Sequence, residues 1–251
     1  MVLIMYEVIT KLKKELDDRR PLNQNVVKNL RETIRVLWTY HSNAIEGNTL
    51  SLIETKIVLE EGITIGGTTL REHFETINHA EAIDYIEDIV NRDIELSESV
   101  LKDIHRLILR NIDASNAGKY RNIDVYIQGS QHIPPQPYLV EPQMQDLFLW
   151  YSQNKGSIHP VELATKFHFK FVYIHPFIDG NGRTARLLMN LILMKDGYPP
   201  AILKADSEQR VKYYKVLEKA SVDNNIEDFV QFVVDNVEDS LRMYLRVARP
   251  K

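Results

Sequence analysis

The chain has 251 residues, of which 44% are hydrophobic and 26% charged, and its formal net charge is −4. These values are typical of a globular protein with one large or two small domains. The slight acidic excess offers no basic surface for nucleic acid, so we expect no nucleic-acid partner. The sequence contains no cysteine, which excludes disulfides, thiolate metal sites and cysteine nucleophiles.

The N-terminal segment does not have the pattern of a targeting signal. It reaches a charge at Glu7 without the basic residues that open a signal peptide. No apolar run approaches the roughly 20 residues that a membrane span requires. We therefore expect a cytoplasmic protein without membrane contact.

Helical periodicity dominates the chain. Apolar residues recur at helical spacing ahead of Gly47, a natural helix end, and this pattern predicts a helix over about 24–47. A capping box at Ser51 and Glu54 opens a second helix, which ends near Gly62. The further predicted helices cover residues 70–91, 97–111, 142–154, 160–174, 182–196, 207–221 and 225–246.

One segment carries a strand signal. Over residues 124–133, hydrophobic and polar residues alternate around a turn at Gly129 and Ser130, which predicts a short β-hairpin. Three prolines end this segment: Pro134, Pro135 and Pro137. The predicted fold class is therefore all-α, a helical bundle with one short hairpin.

The segment richest in chemistry runs from His175 to Arg186, between two apolar helices; we call it the motif. Its Gly180, Asn181 and Gly182 lead into a helix N-terminus, where free N–H groups and the helix dipole favour an anion. Glycine lets phosphate oxygens approach the backbone closely. We interpret these three residues as a phosphate cradle.

Four side chains beside the cradle have matching chemistry. Arg183 and Arg186 project from one side of the first helical turn and can clamp phosphates with planar hydrogen bonds. Asp179 is the only carboxylate of the motif, and one carboxylate together with substrate phosphates commonly holds Mg²⁺. His175 closes the preceding helix, and its reference pKa of about 6.5 suits a general base.

Taken singly, these residues have ordinary explanations as a turn, a helix cap or a hydrogen-bonded core histidine. Together they match the pattern HPFx(D/E)GNGRxxR, and the chain resembles Fic domains. The resemblance implies the Fic fold, ATP as substrate, Mg²⁺ as cofactor and transfer of AMP to a protein hydroxyl. It assigns the base to His175, the metal to Asp179, and phosphate binding to the cradle with Arg183 and Arg186.

The resemblance extends upstream of the motif. The run from Gly118 to Arg121 and the expected hairpin are similar to the Fic flap, which holds a target segment extended beside the base. The physical counterpart is strand addition, in which main-chain hydrogen bonds place the target. The resemblance implies that Ile127, Gln128 and Gly129 position the target.

Downstream, the chain is similar to animal endoplasmic-reticulum Fic enzymes that modify Hsp70 chaperones. Tyr213 and Tyr214 resemble a tyrosine pair that lines the adenine pocket of those enzymes. The ordinary alternative is half-buried packing on an amphipathic helix. Ser221 stands where those relatives carry Asn, which changes the adenine contacts expected there.

A further match lies near the end of the first predicted helix, where Ser42, Glu46 and Gly47 fit the Fic inhibitory pattern (S/T)xxxE(G/N). A carboxylate in the last turn of a helix faces an unfavourable dipole. Glu46 therefore needs a strong partner, and Arg186 is the candidate. Such a pair would occupy the arginine that the ATP γ-phosphate needs. A solvated surface glutamate is the ordinary alternative.

The other histidines show no metal-ligand pattern. His168 and His175 are seven residues apart, about 10.5 Å along a helix, which is too far for one zinc ion. We interpret His159 and His168 as structural. No ligand pattern involves His41, His73, His79 or His105.

We therefore expect an autoinhibited, Mg²⁺- and ATP-dependent protein adenylyltransferase that modifies a Ser, Thr or Tyr hydroxyl of a target protein and also modifies itself. Residues 1–95 would form an N-terminal region with the inhibitory helix. Residues 96–251 would form the Fic core with the C-terminal helices, in one compact unit. Many relatives dimerise, so a homodimer is among the expectations.

Three alternatives stay open. Glu46 could orient a water that removes AMP, which would make the protein a de-AMPylase or a bifunctional enzyme. Some relatives transfer UMP or phosphocholine, although the intact Gly180 and Gly182 favour AMP. The chain could also be a non-catalytic module that binds nucleotide and a partner. The intact His175 and Asp179 argue against that alternative, because binding alone needs no base.

Overall fold

The computed structural model describes residues 2–248, apart from the side chains of residues 2–5 and 26. In this part of the chain the regular secondary structure is entirely helical. The helices in chain order are α1 (Val2–Asp18), α2 (Gln24–Ile45), α3 (Leu52–Glu61), α4 (Leu70–Asn91), α5 (Glu98–Ile108), α6 (Pro137–Asn154), α7 (Pro160–Ile174), α8 (Asn181–Lys195), α9 (Ser207–Val222) and α10 (Glu227–Val247).

Helix α8 lies at the centre of the molecule. Leu187, Leu188 and Leu191 are fully buried, as its apolar sequence predicts. Helix α7 packs along it, and α2, α4 and α5 also contact it. Burial of each large apolar side chain contributes roughly 1.5–3 kcal/mol. The loop between α7 and α8 therefore connects the two helices that pack together most extensively.

Helix α1 is present although the sequence pattern did not predict it. It packs against α10 and buries Ile9 and Leu16 completely, two turns apart on one face. Arg19 Nη1 donates to the Leu245 carbonyl at 2.8 Å, which joins the ends of the two helices. None of the helices within residues 2–248 is both long and apolar enough to cross a bilayer.

All the predicted helices are present, with small differences at their ends. The largest difference is at α6, which begins at Pro137 rather than near residue 142 and contains Pro142. Proline suits the first turn of a helix, because its missing N–H would have no partner there. Pro137 thus begins a helix, whereas the sequence analysis took it only as the end of a strand.

The predicted β-hairpin over residues 124–133 is wrong. The segment between α5 and α6 that should contain it, here called the flap (residues 122–136), forms no strand. Its turn is nevertheless where it was expected: Ser130 N–H donates to the Ile127 carbonyl at 3.1 Å, and Gly129 has a φ of 81°. Only Gly129 and its neighbours therefore follow the predicted geometry.

The reason for this error lies in the surroundings of the flap. The alternation is real, since Val125 and Ile127 are half-buried while Tyr126 is 85% exposed. However, the flap bonds to the side chains of Arg121 and Glu218 instead of to a second strand. An alternating pattern indicates a half-buried extended segment. It does not show whether that segment forms the hydrogen bonds of a β-sheet with a second strand.

Candidate active site

The motif forms a tight loop between α7 and α8. His175 ends α7 with φ 50° and ψ 60°, a left-handed conformation that is uncommon outside glycine. Asn181 closes the loop: its Oδ1 accepts from the Phe177 N–H at 3.0 Å, and its Nδ2 donates to the Phe177 carbonyl at 2.8 Å. The Asn181 side chain is therefore committed to the loop, which leaves its backbone N–H for the predicted phosphate role.

The first turn of α8 presents N–H groups before helical bonding begins. Gly180 caps the helix in the left-handed conformation, without a side-chain bond. The first bond of the helix runs from Thr184 N–H to the Gly180 carbonyl at 2.9 Å. The N–H groups of residues 181–183 precede it and carry the positive end of the helix dipole. The geometry expected of an anion cradle is thus present.

A carboxylate lies directly over this helix end. A Cβ atom at position 182 would overlap Oε1 of Glu46 and come within 3.2 Å of Arg186 Nη1. Gly182 is therefore the residue that allows an acidic group to approach the turn. Glu46 follows the last residue of α2 and points its carboxylate at a place that favours an anion.

The ion pair predicted between Glu46 and Arg186 is present, with 2.8 Å between Oε1 and Nη2. Ser42 completes the contact: its Oγ accepts from Nε at 3.0 Å and its carbonyl accepts from Nη2 at 2.7 Å. Burial lowers the pKa of Arg186, but Glu46 outweighs it, so the pKa is raised. Arg186 Nη1 is buried without a partner, next to Gly182, where a phosphate oxygen could bind it.

Arg183 belongs to a second cluster of charges. Its Nη2 lies 3.2 Å from Asp179 Oδ1, and its Nη1 lies 3.2 Å from Glu75 Oε1. Arg71 bridges the same two carboxylates, at 2.5 Å from Asp179 and 3.2 Å from Glu75. Arg71 and Glu75 could not be found from the sequence, because α4 lies about 100 residues before the motif and its pattern shows no link to it.

Asp179 lies at the rim of the cradle with 38% of its side chain exposed. Burial raises the pKa of its carboxyl, but Arg183, the Gly180 N–H and Arg71 outweigh that effect, so the pKa lies below the usual value. An ionised carboxylate beside an anion site fits Mg²⁺ shared with substrate phosphates. Residues 2–248 contain no cluster of three or more His, Cys, Asp or Glu side chains that could hold a metal alone.

The His175 imidazole is half-buried beside the cradle, and its Nδ1 has no hydrogen-bond partner. Burial lowers the pKa of this side chain to about 4. The imidazole is therefore neutral at pH 7 and can accept a proton. This is the state that the predicted base role requires.

His105 on α5 supports the motif, although no role was expected for it. Its Nδ1 accepts from the Gly118 N–H at 2.9 Å, so its Nε2 carries the proton and donates to the Asp179 carbonyl at 2.9 Å. The ring stacks on Phe177 at 3.5 Å between centroids. Burial lowers the pKa of His105 to about 4, which keeps it in the neutral form that both bonds need. A buried histidine on an amphipathic helix gives no sequence signal for such a contact.

Tyr213 and Tyr214 lie in different environments. Tyr213 is 2% exposed, its hydroxyl is 3.1 Å from His168 Nε2, and Arg186 lies 5.9 Å from its ring centroid. Tyr214 is 43% exposed and donates to the Ile45 carbonyl at 3.0 Å. Tyr214 therefore has a ring surface open to a ligand, whereas Tyr213 supports Arg186 from inside. The adenine role of the pair stays a prediction.

The histidines interpreted as structural do have structural contacts. His159 caps α7, and its Nδ1 accepts from the Val161 N–H at 3.2 Å. His168 is fully buried in contact with Tyr213, and burial lowers its pKa to about 3. These contacts agree with the interpretation of both residues as structural.

The flap reaches the neighbourhood of His175 through Arg121, whose Nε donates to the His175 carbonyl at 2.8 Å. The residues predicted to position a target lie at the tip of the flap. Gln128 and Gly129 are exposed there, and Ile127 is half-buried. Their role stays a prediction.

Residues 2–248 together form a helical protein in which a glycine-containing loop between two core helices leads into a helix N-terminus and carries a histidine. A family model described as the Fic/DOC family matches residues 95–193. The curated protein adenylyltransferase Fic of Drosophila melanogaster is 40% identical over 207 residues, which are 82% of this chain and 41% of that protein. The chain thus spans about two fifths of the length of the curated relatives it matches.

Solved structures agree with this match. Fic-1 from C. elegans superposes with a TM-score of 0.86 and 35% identity, over 98% of this chain and 73% of that chain. A Fic domain containing signaling protein from Bacteroides thetaiotaomicron superposes with a TM-score of 0.89 and 29% identity, over 96% of this chain and 97% of that chain. The chain belongs to the Fic/DOC family.

Proposed function

We propose that the protein is an adenylyltransferase, which transfers AMP from ATP to a Ser, Thr or Tyr hydroxyl of a target protein and of itself. The observation that carries the proposal is a neutral histidine beside a glycine-lined helix N-terminus with two buried arginines. The relatives named protein adenylyltransferase support the choice of AMP over other groups.

The proposed reaction uses residues of the motif in distinct roles. The acceptor hydroxyl oxygen attacks the α-phosphorus of ATP, the bond from that phosphorus to the bridging oxygen breaks, and pyrophosphate leaves. His175 takes the hydroxyl proton. The backbone N–H groups of the cradle, with Arg183 and Arg186, stabilise the charge that builds on the phosphates.

Mg²⁺ is part of this proposal, with Asp179 as its protein ligand. When bound, the ion would neutralise charge on the phosphate oxygens that share it. Arg71 and Arg183 now neutralise Asp179. Arg71 is 56% exposed and Arg183 only 3%, so Arg71 is the arginine that would give up Asp179 more readily to the ion.

We further propose that Glu46 and Ser42 hold the enzyme inactive. The Glu46 carboxylate lies over Gly182 and pairs with Arg186, so it occupies the position and the partner that a phosphate needs. A charge-assisted bond of this kind contributes about 1.5–3 kcal/mol. ATP would then bind with its phosphates displaced from the alignment that attack on the α-phosphorus requires.

A second candidate is the reverse reaction, and the position of Glu46 favours it. Its carboxylate lies at the edge of the cradle, where it could orient a water toward an AMP-hydroxyl ester. The protein would then remove AMP, or act in both directions. The two reactions differ in their need for Glu46, because forward transfer is inhibited by it and hydrolysis depends on it.

The partners in the proposal are ATP and a target protein held by the flap. The flap tip at Ile127, Gln128 and Gly129 offers main-chain groups for an extended segment. A homodimer and a cytoplasmic location, without nucleic-acid or membrane partners, belong to the proposal on the strength of the sequence expectations alone.

The test is incubation of the wild type and of Glu46→Gly with ATP, followed by intact mass measurement. A mass gain of one AMP per modified site, larger in Glu46→Gly and absent in Glu46→Gly/His175→Ala, would support the proposal. The same reaction with labelled ATP and host lysate would identify targets. If neither wild type nor Glu46→Gly modifies itself or any lysate protein, the adenylyltransferase proposal is rejected in favour of a nucleotide-binding module.

A further inference from the structure

Arg121 stands between two parts of the proposed active site. It precedes the flap, its side chain is 3% exposed, and its guanidinium pairs with carbonyl oxygens rather than with a carboxylate. A buried arginine bound only by main-chain groups is unusual, because burial of a charge is costly without full hydrogen bonding. Burial lowers the pKa of Arg121, in agreement with that cost.

One set of its bonds closes the base of the flap. Nη1 donates to the Ile123 carbonyl at 2.9 Å, and Nη2 donates to the Pro135 carbonyl. These two carbonyls lie at opposite ends of the flap. The planar guanidinium bonds to both ends of the flap and so fixes the distance between them. In a hairpin, hydrogen bonds between the two strands would fix that distance.

The other set reaches the loop that carries the proposed base. Arg121 Nε donates to the His175 carbonyl at 2.8 Å, and the Arg121 N–H donates to the Pro176 carbonyl at 2.9 Å. Nη2 is also 3.5 Å from the Ile174 carbonyl. His175 has a left-handed backbone that its own sequence does not favour, so outside contacts of this kind stabilise it.

The tip of the flap has a separate attachment. Both carboxylate oxygens of Glu218 on α9 accept from the flap, one from Ser130 Oγ and one from the Gln131 N–H at 2.7 Å. His132 Nε2 donates to the Tyr173 carbonyl at 2.8 Å. These contacts hold the tip but do not touch the His175 loop, which makes Glu218 a comparison residue for Arg121.

We propose that Arg121 is a positioning residue that fixes the flap and His175 relative to each other. This inference rests on the proposed function and deepens it: the acceptor hydroxyl on a segment bound to the flap would meet the base only while Arg121 joins the two. Arg121 would act through its neighbours and would contact neither ATP nor the target hydroxyl.

The test compares three variants in the Glu46→Gly background. Arg121→Lys keeps the charge but cannot bond to both ends of the flap and to His175 at once. Glu218→Gln loosens only the tip. Arg242→Lys makes the same change on the exposed face of α10, where Arg242 pairs with Glu238, and is the matched control. Self-modification by ATP, ATP affinity and amide hydrogen exchange are measured for each.

Arg121→Lys should slow AMP transfer about a hundredfold, because a displacement near 1 Å at the reacting groups has an effect of that order. Its ATP affinity should stay within about twofold, since Arg121 does not touch the cradle. Exchange should speed up over residues 123–133 as a whole. Glu218→Gln should speed up exchange only around residues 130–132, and Arg242→Lys should change none of these.

Transfer by Arg121→Lys equal to that of the control, or flap exchange unchanged, would reject the inference. A parallel loss of ATP affinity and melting temperature in Arg121→Lys would also reject it, because that is the signature of a general structural role. If the parent Glu46→Gly transfers no AMP, the proposed function fails first. The exchange measurement then still decides whether Arg121 joins the flap to the His175 loop.

Discussion

The motif (residues 175–186) and the flap (residues 122–136) lie beside each other, but different forces hold them. Ion pairs dominate around the motif, where Arg186 pairs with Glu46 and Arg183 pairs with Asp179 and Glu75. The flap is held by neutral main-chain groups that bond to Arg121 and by the two contacts to Glu218.

The difference matters for what each part can do. An ion pair made by a buried arginine can be exchanged for a phosphate, because the arginine keeps a charged partner throughout. The carbonyl bonds of Arg121 have no such competitor in ATP. We therefore expect the motif to rearrange when nucleotide binds and the flap base to stay in place. Substitutions in the two parts should therefore have different effects.

The largest effect should come from His175, which lies where the motif and the flap meet. His175→Ala in the Glu46→Gly background should lower the rate of AMP transfer by about 10²–10⁴-fold, the usual contribution of a general base. ATP affinity should change little, because the cradle does not involve this side chain. Initial rates with labelled ATP, together with calorimetric ATP titrations, would measure both. Transfer at the parent rate would remove His175 from the mechanism.

The second effect concerns the exchangeable ion pair in the motif. Glu46→Gly should raise forward transfer roughly ten- to a hundredfold, from the loss of about 1.5–3 kcal/mol of pairing with Arg186. Folding should survive with a larger loss of stability than glycine alone causes, since about 1 kcal/mol comes from glycine at the helix end and the lost pair with the buried Arg186 adds to it. Glu61→Gly at the end of α3, far from the motif in sequence, is the matched control.

The assay is self-modification in excess ATP. If Glu46→Gly transfers AMP no faster than the wild type, the proposal that Glu46 inhibits AMP transfer is rejected. Higher forward activity with unimpaired hydrolysis of a pre-modified target would keep inhibition and reject Glu46 as the residue that orients water.

A smaller effect is expected at the rim of the cradle. Asp179→Ala should weaken the Mg²⁺ dependence of nucleotide binding by about tenfold or more, because even outer partners of a metal contribute that much to its affinity. Titration of Mg²⁺ at fixed ATP would show this, with Asp235→Ala on α10 as the control. Coinciding curves for wild type and Asp179→Ala would mean that the carboxylate serves only its bonds to Arg71, Arg183 and the Gly180 N–H.

The smallest effect concerns stability and pH. His168 is buried neutral, with its pKa lowered from 6.5 to about 3. A lowered folded-state pKa means that the unfolded chain binds an extra proton below pH 6.5, so stability falls as the pH drops from 6.5 toward 3. His105 and His175 act in the same direction down to about pH 4.

In His168→Gln, the free energy of unfolding should fall less steeply with decreasing pH. The slope should be smaller by the contribution of one proton, about 1.4 kcal/mol per pH unit, as measured by urea unfolding between pH 4 and 6. Gln can still bond to the Tyr213 hydroxyl. A slope equal to that of the wild type would show that His168 titrates normally in the folded protein.

The sequence by itself predicted every described helix except α1 and located the motif, because these features depend on neighbours in the chain. Apolar periodicity located α8, and the capping box at Ser51 located α3. The Gly180 to Gly182 run predicted the cradle, since glycine, a helix start and an anion site are linked over a few residues. Glu46 was paired with Arg186 in advance only through the resemblance to a known inhibitory pattern.

Only the tertiary structure decided the partners that come from distant helices. Arg71 and Glu75 on α4 reach Arg183 and Asp179, and His105 on α5 reaches the Asp179 carbonyl. Such contacts join residues separated by 74–108 positions, and no local pattern encodes them. The flap shows the same limit: alternation predicted its half-buried, extended character, but whether it pairs with itself or with Arg121 and Glu218 depends on what the fold places beside it.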